Sequence, residues 1–435
     1  MQKRIMVDMS ATLLHHGHIR LLKKASKLGE VIVGLTKDNE IKQKKFYKPE
    51  LSFNHRKEIL ESIKYVSKVV PTPWLIDEKT LELHKIDLLV HGDDDTNLIK
   101  KERLKVFERT KNVSSSILRK KSIKSITSIN NQKLMLTPGP ATILHQNILD
   151  LKPVFGRGDE YYDYMSKSVI SWIKKLSGQD NVIMCQGSST FALELAAHSF
   201  IEGEILLIST GYYSDRLKKL LPKNCHLTIC SHKELTKIDK NYDWVMCAYT
   251  ETSVAFKLNL QEVKNLADKC GARLYVDATG SIGLEENHEL ADVMAFSSCK
   301  GLFGLTGGCF IAHKDNIKPK ESGLFYFSLE THRQKKVTGP YHAIASLFGV
   351  INSHNKLKER VKKSKQMILE NWGSFSRKKN QPLLCTYLEG KVIPNDDSVI
   401  LYTPRSSLSG SVICHLGEIH QKEVKLLERI SIKEL

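Results

Sequence analysis

Strand-like and helix-like segments alternate along most of this 435-residue chain, in two successive blocks. In the first block, Arg4–Met9 and Glu30–Thr36 are predicted strands on either side of a predicted helix, Gly17–Leu28. Apolar residues at helical spacing give that helix one buried face. The next predicted elements are a helix at Asn54–Tyr65 and strands near Lys68–Val70, Asp87–His91 and Lys105–Glu108. This alternation predicts a parallel, doubly wound sheet and therefore an α/β fold.

The second block repeats the alternation on a larger scale from Leu134 onward. Its predicted strands are Val182–Cys185, Ile205–Ser209, Trp244–Tyr249, Arg273–Asp277, Val293–Ser297 and Cys309–Ala312, and its clearest helices are Thr190–Phe200 and Leu260–Cys270. Between the blocks, Arg119–Asn131 is basic and rich in Ser and Asn, with little apolar periodicity, which indicates a linker. We predict a first domain at 1–120, a linker at 121–132, a large domain at 133–350 and a small α/β domain at 351–435.

The formal net charge of +18 raises the question of nucleic-acid binding, because phosphates attract Lys and Arg. The basic residues are spread over the whole length, so we expect anionic small molecules as partners and no nucleic acid. No apolar run reaches the roughly 20 residues that span a bilayer, and the start of the chain does not resemble a secretory signal. The nine cysteines contain no CxxC pair, so we expect reduced thiols in a cytoplasmic protein without membrane insertion.

The string His15-His16-Gly17-His18 lies between the first predicted strand and the first predicted helix. Gly17 lets the backbone approach a phosphate closely, and the start of a helix offers free N–H groups and a positive dipole end. His15 and His18 can then donate hydrogen bonds to the charge that develops on an α-phosphate during transfer. The string therefore predicts nucleotide chemistry at this position.

Three features of the second block together predict a site for pyridoxal phosphate (PLP). That cofactor needs a lysine that bonds to its aldehyde, a carboxylate beside its pyridine nitrogen and a cup for its phosphate. Asp277 ends a predicted strand, where ligands of α/β sheets bind, and Lys300 follows the next strand. Residues Gly187, Ser188 and Ser189 form a strand-to-helix turn suited to a phosphate.

The first block resembles the cytidylyltransferase family that includes the glycerol-3-phosphate cytidylyltransferases, over about residues 4–120. The resemblance lies in LLHHGHIRLLKKASKLGE, in Arg56, in the VHGDDD turn and in RTKNVSSSIL. It implies a Rossmann-like nucleotidyltransferase domain in which His15 and His18 stabilise the transition state and Mg²⁺ accompanies CTP. The remaining nucleotide ligands that it implies are Ser10, Lys44 or Lys45, Arg109, Ser114 and Ser115.

The same resemblance has departures. The VDMSA start, Val7–Ala11, resembles cytidylyltransferase domains of phosphonate pathways more than the glycerol-phosphate enzymes. Most relatives carry an aspartate where Thr12 stands here. Asp93–Asp95 could bind a metal, although a solvated turn is the preferred interpretation.

The second block resembles class V, fold-type I aminotransferases, most closely the 2-aminoethylphosphonate–pyruvate transaminases, over roughly Leu134–Ile351. The resemblance lies in LMLTPGP, CQGSSTF, STGYYSDRL, YTETSVA, YVDATGS, FSSCKGLFG and VTGPYH. It implies that Gly139 lines the site, that Tyr213 stacks on the PLP ring and that Thr252 or Ser253 binds the phenolic oxygen. Thr338 would reach the phosphate of a neighbouring subunit's cofactor, which implies a homodimer formed through this domain.

One departure affects the amino-acid donor. These transaminases carry a late arginine that binds the α-carboxylate, and Val412 stands at that place here. Arg405 and Arg333 are the candidate replacements, because a guanidinium can bind carboxylate or phosphonate.

Two active sites on one chain suggest that one supplies the other. The preferred hypothesis is transamination to 2-aminoethylphosphonate, followed by its cytidylylation with CTP to a CDP-type headgroup. One alternative keeps both reactions but acts on an amino-alcohol phosphate or a glycerol-phosphate-like substrate. Another treats one half as a degenerate binding module, and a nucleic-acid binder is the weakest reading.

Overall fold

The computed structural model describes residues 2–45, 47–93, 96–130, 133–149, 151, 158–376, 378–417, 419 and 426–435. The chain divides into two compact units, Met1–Ile126 and Thr127–Leu435, called here the N-terminal and C-terminal units. No helix in the described part of the chain has the length and apolar character needed to cross a membrane.

The N-terminal unit is a five-stranded parallel sheet with helices between its strands. The sheet order is β3-β2-β1-β4-β5. The elements are β1 (Arg4–Met9), α1 (His16–Ala25), β2 (Glu30–Thr36), α2 (Asp38–Lys45), α3 (Phe53–Glu61), β3 (Lys68–Thr72), α4 (Glu78–Leu83), β4 (Leu88–Gly92), β5 (Leu104–Phe107) and α5 (Ser115–Asn130).

Alternate residues of β1 enter two separate cores, one on each face of this sheet. Ile5 and Val7 pack with Leu22 of α1, whereas Met6 packs with Leu81 of α4. A strand buried on both faces reads as a nearly continuous apolar run, which is why β1 was predictable from its sequence. The parallel doubly wound sheet is confirmed, and the order of its strands reverses between β1 and β4.

The C-terminal unit contains a seven-stranded sheet, four two-stranded pairs and several helices. Its elements up to the end of the large sheet are β6 (Leu134–Leu136), α6 (His145–Leu149), α7 (Glu160–Ser177), β7 (Asn181–Gln186), α8 (Ser189–Phe200), β8 (Glu204–Ser209), α9 (Tyr212–Leu217), β9 (His226–Ser231), β10 (Trp244–Ala248), β11 (Thr250–Glu251), β12 (Phe256–Lys257), α10 (Leu260–Lys269), β13 (Arg273–Asp277), β14 (Val293–Ser297) and β15 (Gly308–His313). The remaining elements are α11 (Leu329–Arg333), α12 (Tyr341–Val350), α13 (His354–Trp372), β16 (Cys385–Leu388), β17 (Lys391–Pro394), β18 (Val399–Leu401), β19 (Ser411–Cys414), α14 (Leu426–Arg429) and β20 (Ile430–Lys433).

The large sheet has the order β7-β15-β14-β13-β10-β8-β9. Only β15, among the described strands of this sheet, runs antiparallel to its neighbours. Alternate residues of β10 again serve two cores, with Val245 on one face and Met246 on the other. The C-terminal ends of the parallel strands, β7 included, therefore meet at one edge.

The stretch predicted as a linker differs from that expectation. Helix α5 continues to Asn130, and the division between the units falls after Ile126, inside the helix. Asn131 and Gln132 lie outside the described residues. Polar side chains at helical positions gave no apolar period, so the sequence pattern did not reveal this helix. The predicted boundaries within the C-terminal unit, 133–350 and 351–435, stay a prediction.

Candidate active sites

A cavity of about 350 Å³ opens in the N-terminal unit where β1, β4 and β5 end. Ligands of open α/β sheets bind at such a reversal of strand order. Three segments that carry predicted ligands line the cavity: the β1–α1 loop, the segment after β5 and the start of α5. The predicted ligands among the lining residues are Ser10, His15, His18, Arg109, Ser114 and Ser115.

His15 and His18 stack on one another at the start of α1. Their ring centroids are 3.9 Å apart, with an interplanar angle of 28°. A Cβ atom at Gly17 would approach His15 Nδ1 to 2.9 Å and Val113 Cγ1 to 3.3 Å. A side chain at position 17 would therefore displace the imidazole. The HHGH string thus requires its glycine for close packing between α1 and the segment before α5.

Hydrogen bonding fixes how His18 can act. The backbone N–H of His15 donates to His18 Nδ1 at 3.2 Å. A neutral imidazole that accepts at one nitrogen carries its proton on the other, so His18 presents Nε2–H as a donor. Burial, together with His15, Arg109 and Lys45, lowers the pKa of His18 to about 3. Burial, together with His16 and Arg109, also lowers the pKa of His15.

The buried side chain of Arg56 holds the β1–α1 loop in place. Its guanidinium donates to the carbonyl of Ser10, to the carbonyl of Thr36 at 2.9 Å and to Asp38 Oδ1 at 2.5 Å. The side chain is fully enclosed, which makes these bonds strong and the geometry rigid. Arg56 is thus a positioning residue for the loop that carries Ser10 and His15.

The remaining predicted nucleotide ligands have distinct surroundings. Of the two lysines, Lys45 lines the cavity and Lys44 does not, so the cavity favours Lys45 over the predicted Lys44. Ser114 caps α5 by accepting from the N–H of Ile117, and Ser115 donates to the carbonyl of Leu13 at 3.2 Å. Asp93 accepts from the N–H of Arg109 at 3.5 Å.

Of the predicted aspartate turn, the structure describes only Asp93. Asp94 and Asp95 lie outside the described residues. Within the described part of the chain, no three His, Cys, Asp or Glu side chains form a group that could bind a metal ion.

The same cavity also has a buried carboxylate on its wall, which sequence reasoning missed. Asp8, in β1, accepts from Asn97 Nδ2 at 3.2 Å and lies 3.4 Å from His91 Nε2. The Asp8 side chain is only 10% exposed. The indole of Trp74 lines the same cavity, and the ammonium of Lys45 lies 5.2 Å from its centroid. A carboxylate and an aromatic face together suit a cation.

In the C-terminal unit, Asp277 and Lys300 lie close together at the C-terminal edge of the large sheet. Asp277 is buried and accepts from the N–H of Thr279 at 2.9 Å. Burial lowers the pKa of the Lys300 ammonium, and the Asp277 carboxylate opposes that effect. Gly139 has φ +126°, and a Cβ there would lie 3.1 Å from Lys300 Cγ. The site therefore holds an enclosed amine that can be neutral, as an attacking lysine must be.

A cup suited to a phosphate lies beside this pair. Gly187, Ser188 and Ser189 precede or begin α8. Arg216 contacts Thr190 Oγ1 at 3.4 Å. Its positive charge contributes to the lowered pKa of Lys300. Its buried Nε has no hydrogen-bond partner among the described residues. A buried donor of this kind suits an anion, so Arg216 and the turn before α8 fit the phosphate of PLP.

Tyr213 lies between Lys300 and the cup. The Lys300 Nζ atom is 5.8 Å from the centroid of the Tyr213 ring. The guanidinium carbon of Arg216 is 5.2 Å from the same centroid. The buried carboxylate of Glu251 accepts from the N–H of Tyr213 at 2.9 Å and from the Ser253 hydroxyl at 2.5 Å. Ser253 is thus engaged with Glu251, and the predicted contact of Thr252 or Ser253 with the phenolic oxygen stays a prediction. Sequence reasoning missed Glu251 and Arg216, although both lie inside motifs that it singled out.

The positions considered for binding the carboxylate of the amino-acid donor, Val412 and Arg405, have different surroundings. Val412 is buried in β19 opposite Tyr387, so no cation stands there. Arg405 donates to the hydroxyl of Tyr212 at 3.1 Å and lies 5.3 Å from that ring, which packs edge-on against Tyr213 at 5.2 Å. Arg405 is therefore connected to the Lys300 site through two aromatic rings.

Arg333 and Thr338 do not join the Lys300 site within one chain. Arg333 contacts His313, which ends β15 at the opposite edge of the sheet from Asp277. The predicted role of Arg333 as a substrate ligand is therefore not supported. Thr338 lines a separate cavity of about 190 Å³ with Tyr162 and Tyr341. Its assignment to a neighbouring subunit's cofactor stays a prediction.

Residues 11–121 match the cytidylyltransferase-like family model. A glycerol-3-phosphate cytidylyltransferase of Bacillus subtilis is 39% identical over 93 residues, which cover 21% of this chain and 72% of that enzyme. The chain belongs to the cytidylyltransferase-like family. This membership concerns the N-terminal unit, in which the HHGH string, the cavity and the α5 serines occur together.

The C-terminal unit of this cytidylyltransferase-like protein is similar to transaminases. A 2-aminoethylphosphonate–pyruvate transaminase of Pseudomonas aeruginosa is 24% identical over 253 residues, which cover 51% of this chain and 68% of that enzyme. Among solved structures, a pyridoxamine–pyruvate aminotransferase of Mesorhizobium loti matches with a TM-score of 0.57 at 16% identity, covering 66% of this chain and 88% of that one. An alanine–glyoxylate aminotransferase of Nostoc sp. matches with a TM-score of 0.56 at 17% identity, and the match covers 67% of this chain and 91% of that one. The fold-type I aminotransferase fold is confirmed.

The lowered pKa of His18 predicts acid sensitivity of the cytidylyltransferase-like unit. The ordinary pKa is 6.5 and the folded value about 3, so between these pH values the unfolded chain binds a proton that the folded chain does not. The free energy of unfolding must then fall as the pH drops below about 6.5. Between pH 7 and pH 5, the free energy of unfolding should therefore fall by about 1–2 kcal/mol less in a His18→Asn variant than in the wild type. Hydrogen exchange of the β1 and β2 amides at the two pH values measures this difference in the free energy of unfolding. The control is the variant His55→Asn, which changes an exposed histidine. Equal losses in wild type and His18→Asn would contradict the assigned neutral state.

The Lys300 assignment predicts a spectroscopic outcome. Protein purified with PLP should be yellow, and Lys300→Ala should lose the visible absorption band because the cofactor aldehyde has no amine to bond. The exposed Lys233→Ala serves as the matched control and should keep the band. A wild-type chain that binds no PLP contradicts the aminotransferase assignment.

Proposed function

We propose that the chain is a bifunctional enzyme that makes and activates 2-aminoethylphosphonate. The C-terminal unit would aminate phosphonoacetaldehyde with an amino-acid donor, using PLP. The N-terminal unit would then join the phosphonate to CMP from CTP, with Mg²⁺ carried on the triphosphate, and release pyrophosphate. The similarity of the two units to a phosphonate transaminase and to a cytidylyltransferase supports this pairing. A homodimer formed through the C-terminal unit, in a cytoplasmic protein, belongs to the same proposal.

One observation carries the proposal: the Asp8 carboxylate on the wall of the cavity in the N-terminal unit. Asn97 and His91 contact this carboxylate, which would form an ion pair with a substrate amine. The Lys45 ammonium lies 5.2 Å from the Trp74 centroid, so the amine would bind at Asp8 and not on that ring. An acceptor that carries an amine is what a transaminase on the same chain would supply. Glycerol phosphate carries no cation and could not form this ion pair.

The residues at the phosphate end would assist cytidylyl transfer by positioning and hydrogen bonding. An oxygen of the phosphonate forms a bond to the α-phosphorus of CTP while the bond to the β-phosphate oxygen breaks. His18 Nε2–H and the His15 ring would donate to the α-phosphate oxygens as their negative charge increases. Arg109 and Lys45 would hold the β- and γ-phosphates and the departing pyrophosphate.

The C-terminal unit would hold PLP by the groups described above. When bound, PLP supplies a ring that stabilises negative charge at the substrate carbon next to nitrogen. Asp277 would keep the pyridine nitrogen protonated, and Arg216 with the α8 serines would hold the phosphate. Lys300 would bond to the aldehyde and move the proton at the reacting carbon, which its lowered pKa favours.

An amino-alcohol phosphate is the second candidate substrate, because Asp8 recognises an amine and not the difference between phosphate and phosphonate. The reading of one half as a degenerate module has less support, since both groups of reactive side chains are brought together in their units.

The Asp8 interaction predicts a selective loss of activity. In a pyrophosphate-release assay with CTP, Asp8→Asn should lower kcat/KM for 2-aminoethylphosphonate about 10- to 100-fold, because the ammonium loses its ion-pair partner. An acceptor of similar size without an amine should be affected little. The exposed Glu58→Gln provides a control of equal charge change.

The same assay tests the proposal itself. Acceptors should include 2-aminoethylphosphonate, phosphoethanolamine and glycerol 3-phosphate, each with CTP and with ATP. Equal turnover with ATP, or no turnover with any phosphonate, would contradict the preferred function. Faster turnover of phosphoethanolamine would favour the amino-alcohol phosphate.

Arg405 predicts a loss of donor binding. Because Val412 offers no charge, Arg405→Met should raise KM for the amino-acid donor about tenfold or more while the visible band of the cofactor is unchanged. The exposed Arg273→Met is the matched control. An unchanged KM would mean that another group binds the donor carboxylate.

A further inference from the structure

Glu251, in β11, is a fully buried carboxylate at the edge of the large sheet. Its Oε2 atom accepts from the N–H groups of Tyr213 at 2.9 Å and Ser214 at 3.0 Å. Its Oε1 atom accepts from the N–H of Ser253 at 3.2 Å and from the Ser253 hydroxyl at 2.5 Å. One carboxylate thus joins the first turn of α9 to the turn between β11 and β12.

Burial and hydrogen bonding act in opposite directions on this carboxylate. Burial raises the pKa of Glu251, and the hydrogen bonds from its donors lower it. Because enclosing a charged group without hydrogen bonds is unfavourable, those donors keep the carboxylate in place. Gly211 leaves the necessary room, since a Cβ there would approach Glu251 Cγ to 2.9 Å and Ser253 Oγ to 3.1 Å. The carboxylate and its donors therefore form a closely packed unit.

The segment between β18 and β19, residues 402–410, contacts this unit at two points and is called here the Arg405 segment. Arg405 donates to the hydroxyl of Tyr212 at 3.1 Å. The Ser406 hydroxyl donates to Ser253 Oγ at 3.0 Å. Tyr212 begins α9, whose first turn Glu251 holds, and Ser253 is bound by Glu251 directly. The same buried carboxylate therefore holds both points that receive the segment.

The directions of these hydrogen bonds connect Ser406 to Glu251. An ionised carboxylate has no hydrogen to give, and a hydroxyl has one. Ser253 therefore donates its hydrogen to Glu251, and its oxygen accepts from Ser406. Loss of the carboxylate would leave the Ser253 hydroxyl without a fixed orientation and would weaken its bond to Ser406.

We propose that Glu251 is a positioning residue of the aminotransferase site, which holds the Arg405 segment ready to bind the carboxylate of the amino-acid donor. The inference rests on the proposed transamination and adds what keeps Arg405 in place. Arg405 is exposed, and ordering an exposed side chain and its segment on binding costs conformational entropy. A segment that is held before the donor arrives lowers that cost. Glu251 acts through Ser253 and Ser406 and not by its own contact with the donor.

Limited proteolysis of the full chain, purified with PLP, tests the positioning directly. Trypsin cleaves after arginine, so cleavage after Arg405 reports how often the Arg405 segment detaches. Glu251→Gln should speed this cleavage about fivefold or more, because an amide turns its own N–H groups toward two of the four donors. This variant leaves the residues around the cleaved bond unchanged. Glu321→Gln, which changes an exposed carboxylate, is the control and should be cleaved there as the wild type is.

The kinetics of the amino-acid donor provide a second readout. Ser406→Ala leaves Glu251 and its donors intact and removes the link to the Arg405 segment. It should raise KM for the donor about fivefold or more, with kcat and the visible band of the cofactor little changed. Ser406→Thr keeps a hydroxyl and should behave as the wild type does. The matched control is Ser407→Ala, which changes the neighbouring, exposed serine.

A double variant shows whether Ser406 acts by way of the arginine. Arg405→Met combined with Ser406→Ala should raise KM for the donor no further than Arg405→Met alone, because both changes affect the same contact. Hydrogen exchange of the β10 and β13 amides shows whether each variant is folded.

The outcomes separate this inference from the proposed function. Unchanged cleavage after Arg405 in a folded Glu251→Gln, or an unchanged donor KM in Ser406→Ala, overturns the role of Glu251 and leaves transamination standing. Additive effects of Arg405→Met and Ser406→Ala do the same. A wild-type chain that transaminates with no amino-acid donor overturns the proposed function, and this inference with it.

Discussion

Parallel strand pairing brings the C-terminal ends of several strands to one edge, and both groups of reactive side chains lie at such an edge. In the N-terminal unit, the segments after β1, β4 and β5 line one cavity at the reversal of strand order. In the C-terminal unit, the residues that end or follow β7, β8, β13 and β14 include the phosphate cup, Tyr213, Asp277 and Lys300. Residues more than 100 positions apart are therefore neighbours because of backbone hydrogen bonding, before any side-chain contact is considered.

Burial has the same electrostatic effect at both edges. It lowers the pKa of His18 and of Lys300, so that each can be present in its neutral form. A neutral imidazole can donate to a phosphate through a defined nitrogen, and a neutral amine can attack an aldehyde. Arginines, Arg109 in one unit and Arg216 in the other, lie beside them and suit the anionic parts of a ligand. Each site thus combines a reacting group whose pKa is lowered by burial with an arginine that can bind an anion.

The strands were predictable because buried parallel strands are short apolar runs, and Arg273–Asp277 and Val293–Ser297 match the structure residue for residue. His15, His18, Asp277 and Lys300 were predictable because they follow strands inside motifs. The position of Asp8 in the cavity was not predictable, since Asp8 lies within the buried strand β1 and resembles an ordinary strand residue. The contacts of Arg119 were not predictable either, because a polar helix surface has no apolar period. Its contacts with Glu50 and Thr12 span 69 and 107 positions of sequence, which only the tertiary fold brings together.

Charge distribution in the nucleotide cavity bears on the order of the two proposed reactions. An aldehyde acceptor would bring no cation to Asp8, and it would cover a carboxylate whose side chain is already 10% exposed. An ammonium group would add an ion pair to the contacts that Asp8 makes with Asn97 and His91, and an aldehyde would not. If the proposed function holds, the cavity would favour the aminated compound over its precursor. On the proposed pathway, transamination would then come first, and Asp8 would be the residue that distinguishes the aminated compound from the aldehyde.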